Sequence, residues 1–423
     1  EDHVNADLLF AGTEFGVYFT IDGGKKWLKL NGGLPTIAVR DLAIQKREND
    51  LVLATFGRGY YILDDYTPLR NLKKDDLSKT AFISPIKPSW MFIESKSWGY
   101  PLKGFQGESF FSMPNPKVGA VFTYYLKDNI KTIKEKRQER EAELVKKGQP
   151  VYYPSADSIR MEDAQPAPYL LFTIYDESGA VVRKIKTNAQ KGMHRIVWDF
   201  RYSSSGPVNF YTPDPKNPYD QAEVGYLAMP GNYKVSLSKF EDGVLTEIVT
   251  PQAFTINSLN AATLPAPDKK ALDAFCKQVS ELRRATGAAE SYKGEMVNKL
   301  SYIKGALIAM NLPVNDLTLA VNKLEQKLNK VDIIMNGDAS IARREFETPP
   351  SINGRIGTIE SALWYSTSAP TKTAMQSFEV ASKQFATALE TLKAIDTEIK
   401  DLEAALEKAK APYTPGRLPD WKK

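Results

Sequence analysis

Adjacent acidic residues are the side chains whose type and spacing come closest to those of a hydrolytic site. Such pairs occur at Asp64-Asp65, Asp75-Asp76 and Glu162-Asp163. Hydrolysis of a glycosidic bond needs two carboxyl groups about 5 to 10 Å apart, one of them with a raised pKa. Each pair stands in a turn or at the predicted start of a helix, where a carboxylate ordinarily caps backbone N–H groups. We therefore interpret the pairs as capping residues and assign no catalytic residue.

Histidine and cysteine, which supply many metal ligands and nucleophiles, are scarce. The chain has two histidines, His3 and His194, and one cysteine, Cys276. A serine triad or a His-based metal site therefore has little material. His194 lies on a predicted strand, where we expect a packed or edge-exposed ring. Cys276 lies beside the apolar stripe of a predicted helix, so we expect a buried, unreactive thiol.

One loop carries oxygen ligands at every third position. These are Asp214, Asn217, Asp220 and Glu223. Calcium prefers such ligands, but the spacing is not that of the known twelve-residue calcium loop. A calcium site and a plain polar loop both remain open, and no other cofactor is expected.

Short apolar runs separated by turn residues fill the first part of the chain. Six runs of about six residues predict strands: LLFAGT, GVYFTI, KKWLKL, RDLAIQ, DLVLAT and GYYILD. Between the second and third runs lies Thr20-Ile21-Asp22-Gly23-Gly24-Lys25-Lys26-Trp27. Asp22-Gly23 predicts a hairpin turn, because glycine tolerates positive φ and the Asp carboxylate can accept bonds from the turn's own amides. We expect Thr20, Asp22, Gly24 and Trp27 to be structural, with Trp27 wedged between strands.

This octet fits the Asp-box pattern: Ser or Thr, any residue, Asp, any residue, Gly, two further residues and an aromatic residue. It resembles the BNR repeat of sortilin-type and sialidase-type β-propellers, in which the hairpin is a structural element of the rim. The stretch TFGRGYYILDD resembles the closing strand of large sortilin-like propellers in bacterial proteins that are often labelled glycosyl hydrolases. The segments ARREFETPPSINGR and PYTPGRLPDWKK also resemble the C-terminal region of this family.

The resemblance covers only part of a propeller. Residues 1–78 would supply roughly one and a half blades, whereas a propeller generally needs four or more. We therefore expect the chain to be the C-terminal part of a longer polypeptide, with the rest of its propeller upstream.

Residues 79–258 predict a β-sandwich. Apolar and polar residues alternate at 195–200 and at 233–238, which is the pattern of half-buried strands. KGMHRIVWD, followed by PGNY, resembles the immunoglobulin-like domain of flagellar hook-capping proteins, and this resemblance implies two packed sheets with Trp198 in the core. A charged segment at 126–148 predicts a solvated helical insertion.

Residues 259–423 predict a four-helix bundle. Apolar residues recur at intervals of three and four in four series, at 272–282, 296–310, 317–331 and 378–406. Asp268 is the predicted N-cap of the first helix, and Pro313 separates the second from the third. Residues 336–372 form a long crossing segment, which we expect to pack down or to bind something.

Composition places the chain among folded proteins of several domains. It has 423 residues, of which 42% are hydrophobic and 25% are charged, and these fractions argue against disorder. The formal charge of +5 is a small excess of 56 basic over 51 acidic residues, so we expect no nucleic-acid partner. No apolar run is long enough for a transmembrane segment, and a single cysteine excludes an intrachain disulfide.

These observations favour a non-catalytic binding or scaffold protein. The resemblance implies export to the periplasm, the outer membrane or the cell surface of a bacterium, and a propeller that grips proteins, peptides or glycans. The alternative is a glycan-active hydrolase whose site lies in blades absent from this chain. A set of aromatic residues could form a partner surface or a core: Trp90, Phe92, Trp98, Tyr100, Phe105, Phe110 and Phe111.

Overall fold

The computed structural model describes residues 1–94, 104, 107, 113, 115–217, 219–259, 264–310 and 315–418. The chain divides into two compact units. The first unit comprises Glu1–Met91, Gln106–Phe200 and Pro230–Leu259, and the second comprises Phe92–Phe105, Arg201–Met229 and Asn260–Lys423. The sequence analysis assigned residues 201–229 to the sandwich, whereas this stretch groups with the helical residues.

Residues 1–78 fold into two three-stranded antiparallel sheets, and each of the six predicted runs forms a strand. The elements are β1 (Leu9–Thr13), β2 (Gly16–Thr20), β3 (Leu28–Lys29), β4 (Val39–Gln45), β5 (Asp50–Thr55), β6 (Tyr60–Leu63), α1 (Thr67–Arg70) and a 3-10 turn at Lys74–Ser78. The strand orders are β1-β2-β3 and β4-β5-β6. One face of each sheet contributes to a shared core, in which Val17 and Phe19 of β2 join Leu51 and Leu53 of β5.

A buried polar network ties the first residues of the chain to α1. The carboxylate of Asp2 accepts two bonds from the Arg70 guanidinium, both 2.7 Å long, and one from the Tyr66 hydroxyl at 2.7 Å. The backbone N–H of Asn5 also donates to Asp2, at 2.9 Å. Arg70 reaches further, to the Asn49 side chain at 2.8 Å. The network therefore links the N-terminus, the β4–β5 turn and α1.

Residues 79–258 of the first unit form two further sheets with an aromatic core. The elements are β7 (Ala81–Ile83), β8 (Ser89–Met91), β9 (Ala120–Leu126), α2 (Ile133–Lys146), α3 (Ala156–Ala164), β10 (Tyr169–Tyr175), β11 (Val181–Asn188), β12 (Gly192–Trp198), β13 (Gly231–Glu241) and β14 (Val244–Ser258). The strand orders are β12-β9-β7 and β11-β10-β13-β14-β8, with β14 and β8 parallel. Trp198 is fully buried, as predicted, with its ring 5.3 Å from that of Tyr233.

The charged segment 126–148 contains one helix, α2, as predicted, and a second helix that we did not predict, α3, follows it before β10. Thr132 caps α2, since its hydroxyl accepts from the N–H of Glu135 and the Glu135 carboxylate accepts from the N–H of Thr132. Ser155 caps α3 by accepting from the N–H of Ser158. The N–H of Ile133, at the start of α2, donates to the side chain of Gln165 at the end of α3, at 2.7 Å. The two helices are therefore joined to each other.

The second unit is built on helices. They are α4 (Lys269–Ile308), α5 (Asn315–Asn336), α6 (Ala339–Ala342), α7 (Ile352–Leu363) and α8 (Lys372–Lys408). Apolar side chains of α4, α5, α7 and α8 meet in one core, which includes Leu300, Ile303, Val321, Leu328, Ile356, Leu392 and Ile399. No helix in the described ranges is both long and apolar enough to span a membrane.

The first two predicted helices are one continuous helix. The series at 272–282 and 296–310 both lie on α4, because Thr286, Ala289 and Lys293 continue its buried stripe between them. Gly287 lies inside this helix and does not end it. With these two series on one helix, the fourth helix of the core is α7, which lies in the segment 336–372 that we predicted as a crossing.

The stretch Arg201–Met229 packs on α7 through aromatic side chains. The rings of Tyr202 and Tyr226 stack at 4.3 Å, and Tyr226 lies 5.6 Å from Trp364 at the end of α7. The indole N–H of Trp364 donates to the carbonyl of Val224 at 3.1 Å. A Cβ atom at Gly225 would lie 2.4 Å from the carbonyl oxygen of Tyr202, so this close approach requires glycine.

Candidate functional site

The Asp-box hairpin uses its polar atoms within its own turn. The hydroxyl of Thr20 donates to the Asp22 carboxylate at 2.7 Å and accepts from the N–H of Gly24 at 3.1 Å. The same carboxylate accepts from the N–H of Lys26 at 2.9 Å. The hydrogen bond from Thr20, helped by that from Lys26, lowers the pKa of Asp22. Asp22 is thus held ionised by the hairpin. Trp27 is exposed rather than wedged between strands.

Two of the three acidic pairs hydrogen-bond to backbone N–H groups close by in the chain. Asp65 accepts from the N–H of Thr67 at 3.2 Å, although the N-cap residue of α1 is Tyr66. Asp76 accepts from the N–H of Lys73 at 3.0 Å and from the Lys79 ammonium at 2.7 Å. Desolvation and the Asp50 carboxylate raise the pKa of Asp64, but its neighbour Asp65 is committed to the turn before α1. These pairs therefore support turns rather than an acid and nucleophile couple.

The third pair contributes to a network between α2 and α3. The guanidinium of Arg137 binds the Glu162 carboxylate through Nε and Nη2, at 2.6 and 2.8 Å. Through Nη1 it binds both oxygens of Glu141, at 2.8 and 2.9 Å. The bonds from Arg137 lower the pKa of Glu162. Glu162 is therefore held ionised, and Arg137 fixes both carboxylates in position.

The two histidines and the cysteine have structural neighbours. His3 lies beside Asp2, 3.5 Å from its carboxylate. The His194 ring shares a 3.0 Å hydrogen bond with the carbonyl of Lys191 and lies 5.6 Å from the ring of Tyr124. Cys276 is buried, and burial, with a smaller effect of Asp273, raises its pKa to about 12. A thiol with that pKa is a poor nucleophile at neutral pH.

The four candidate calcium ligands take part in local hydrogen bonds and in one ion pair. Asp220 accepts from the hydroxyl of Tyr211 and from the N–H of Asp214. Asp214 and Asn217 accept from backbone N–H groups two residues further on, and Glu223 pairs with Arg283 at 3.4 Å. Within the described residues, no three His, Cys, Asp or Glu side chains are grouped so that they could hold a metal ion.

The predicted aromatic surface can be followed only at one end. Trp90 and Phe92 are exposed. The other members, Trp98, Tyr100, Phe105, Phe110 and Phe111, lie outside the described residues.

A second exposed apolar surface, which the sequence analysis did not identify, lies on β5 and β6. Tyr60 and Ile62 of β6 point away from the core and are 74% and 59% exposed. Their partners across the pair are Ala54 and Val52 of β5, so these four side chains share one face of the sheet. The sequence signal was the run DLVLAT, which is apolar at successive positions, as in strands covered on both faces. We call these four residues the outer face of β5–β6.

The first sheet also has an apolar side away from the core. Its register pairs Ala11 of β1 with Tyr18 of β2, and both are half-buried. The two sheets therefore each combine a core face with a second face that carries apolar side chains.

Chemically, the described residues offer fixed charges and exposed aromatic rings. Hydrogen bonds or ion pairs hold the carboxylates of Asp22, Asp65, Asp76, Glu141 and Glu162. The carboxyl group of Asp64 has a raised pKa, and the thiol of Cys276 is protonated at neutral pH. Comparisons of the chain with protein-family models, with curated proteins and with solved structures gave no match.

Proposed function

We propose that residues 1–78 are the last blades of a sortilin-like, Asp-box β-propeller, and that other blades of the same polypeptide cover the outer face of β5–β6. The observation that carries this proposal is that outer face. Two sheets stack on each other while each keeps apolar side chains on its far side, and such a stack can be extended by further sheets. Radial repetition of stacked sheets is the architecture of a propeller.

We further propose that the protein is a non-catalytic binding or scaffold component exported to the bacterial envelope. The structural use of Asp22, Asp65 and Asp76 supports binding over hydrolysis. Residues 79–258 would be an immunoglobulin-like sandwich, consistent with the aromatic core around Trp198. The helices that share a core would be a bundle that serves as a docking platform for a protein partner.

Hydroxyl-radical footprinting of side chains tests the propeller part of this proposal. In the chain of 423 residues, we expect rapid oxidation of Tyr60, which is 74% exposed on the outer face of β5–β6. In the longer polypeptide, a neighbouring blade should cover that face and protect Tyr60. Equal oxidation of Tyr60 in both proteins would contradict the propeller proposal.

Cross-linking and activity assays test the functional part. Cross-linking of the parent polypeptide in native envelope membranes should capture one protein in stoichiometric amount. The parent should release no sugar from polysaccharides or aryl glycosides. Hydrolysis that is lost when a propeller carboxylate is replaced would overturn this reading and establish a glycan-active hydrolase instead.

A further inference from the structure

A cleft of about 530 Å³ lies at the junction of α2 and α3, in the first unit. Two adjacent aromatic residues line it, Tyr152 and Tyr153, which are 81% and 88% exposed. The Arg137, Glu141 and Glu162 network lines it too. Exposed tyrosines beside a fixed polar network form the combination of apolar surface and oriented hydrogen-bonding groups that is typical of small-molecule sites.

The local chain restricts the position of the tyrosines. Pro154 follows Tyr153 directly, and proline disfavours helical backbone in the residue before it. Ser155 then caps α3 through its bond to the N–H of Ser158, at 3.2 Å. The two rings are therefore carried on a short segment whose end is fixed to α3.

The charges in the cleft are largely matched. Arg137 donates four hydrogen bonds to two carboxylates, and Lys134 and Asp163 also line the cleft. An anionic ligand would meet the carboxyl groups of Glu141 and Glu162, whereas a strongly cationic ligand would have to compete with Arg137 for them. The carboxylate oxygens have further lone pairs, which can accept bonds from hydroxyl groups.

We propose that this cleft binds a neutral saccharide, with one or both tyrosines stacked on a sugar face and with Glu141 and Glu162 accepting bonds from sugar hydroxyls. A saccharide combines an apolar C–H face with hydroxyl donors and has no charge, which matches the three properties of the cleft. The site is separate from the outer face of β5–β6, so this proposal does not depend on the proposed propeller.

Titration of the chain with neutral trisaccharides tests the proposal. Maltotriose, cellotriose, chitotriose and mannotriose would be added separately, with saturation-transfer NMR and calorimetry as readouts. We expect at least one of them to bind, and the double variant Tyr152→Ala/Tyr153→Ala to bind it about tenfold more weakly. The control Tyr219→Ala removes a tyrosine of another loop that is 70% exposed, and it should bind like the unsubstituted chain.

Further variants examine the polar half of the cleft. Glu162→Gln keeps the shape of the side chain but removes its charge, and we expect weaker saccharide binding with an unchanged circular dichroism spectrum. Because the ligand is neutral, affinity should change little between about 0.05 and about 0.5 M salt.

Three results would overturn the proposal. The first is that none of the trisaccharides binds. The second is that binding survives in Tyr152→Ala/Tyr153→Ala but is lost in Tyr60→Ala/Ile62→Ala, which would assign the saccharide to the outer face of β5–β6. The third is that an oligolysine peptide binds in place of the saccharides, in a manner abolished by salt.

Discussion

At the scale of single residues, Asp2 is the most consequential buried charge of the first unit. Burial alone would raise the pKa of its carboxyl group, but the hydrogen bonds from Arg70, Tyr66 and Asn5 outweigh this effect and hold the pKa far below its ordinary value. Burial and the bond to Asp2 likewise raise the pKa of Tyr66 to about 12. The carboxylate and its donors are therefore a charged, satisfied network.

Replacing Asp2 with Ala should destabilise the first unit by about 3 to 5 kcal/mol, because it leaves the Arg70 guanidinium without its bidentate partner. Urea unfolding at neutral pH measures this change. Asp157→Ala is the matched control, since the Asp157–Arg160 pair is exposed and should change stability by less than about 0.5 kcal/mol. Equal effects of the two substitutions would contradict the role given to Asp2.

The pH dependence of this difference has a defined sign. The pKa of Asp2 is lowered on folding, so its contribution is complete above the unfolded-state value of about 4 and is lost as the pH falls toward the folded-state value. We expect the difference in unfolding free energy between the unsubstituted chain and Asp2→Ala to shrink below about pH 4. A difference that grows on acidification would be inconsistent with an ionised Asp2.

Cys276 should be unreactive in the folded protein. Burial keeps reagents away from the thiol and raises its pKa to about 12. The reactive thiolate therefore does not form at neutral pH. We expect no reaction with Ellman's reagent until denaturant is added, after which one thiol should react. The variant Ser178→Cys, at an exposed turn, is the control and should react at once. Rapid labelling of native Cys276 would show that the helical core opens at this position.

At the scale of elements, a polar cluster sits on the buried stripe of α4. Lys293 lies between Glu290 of the same helix and Asp332 of α5. Desolvation lowers the pKa of Lys293, but the bonds to Asp332 and Glu290 outweigh this effect and raise it overall. Asn336 of α5 donates to both carboxylates, at 3.1 Å to Glu290 and 2.8 Å to Asp332. The cluster therefore joins α4 to α5.

Lys293→Met should destabilise the helical unit by about 1 to 3 kcal/mol. The substitution leaves two carboxylates close together, but both are partly exposed, so the cost is below that of a fully buried pair. Thermal unfolding followed by helical circular dichroism measures it. Lys393→Met removes an exposed lysine of α8 and is the control, with an expected change below about 0.5 kcal/mol. Because the pKa of Lys293 is raised, the difference should shrink above about pH 10.4.

Helix continuity in this region could not be read from the apolar pattern alone. The pattern weakens between residues 282 and 296, where Thr286, Ala289 and Lys293 replace large apolar residues on the buried side. Their burial depends on partners from other helices, such as Asp332 for Lys293, which a single sequence does not reveal. The strands of residues 1–78 were predictable because their turns carry local signals, such as Asp22-Gly23.

At the scale of the whole molecule, the outer face of β5–β6 should make the purified chain associate with itself. An exposed apolar face on an edge strand favours pairing between copies. We expect sedimentation velocity to show association that rises with concentration, and Tyr60→Lys/Ile62→Lys to reduce it. Val208→Lys alters an exposed apolar residue elsewhere and should not. An unsubstituted chain of 423 residues that stays monomeric at high concentration would contradict this expectation.

The candidate sites differ in how far the sequence could identify them. The motif at Thr20, Asp22 and Gly24 is local, so its hydrogen bonds could be anticipated from the order of residues. The cleft at α2 and α3 joins Arg137 to Glu162, which lies 25 positions away. To identify the outer face of β5–β6, one must know which side of the run DLVLAT packs against the first sheet. Neither fact is contained in local spacing.

The chain passes back and forth between its two units, so no single cut in the chain separates them. Residues 201–229 belong with the helices, yet β13 and β14 of the first unit follow them. A polypeptide that stops at residue 259 would carry Tyr202 and Tyr226 without the Trp364 indole they pack against. During synthesis on the ribosome, α7 begins 123 positions after this stretch ends, at Ile352 against Met229. Neither unit can therefore be expressed alone as one continuous segment of the chain.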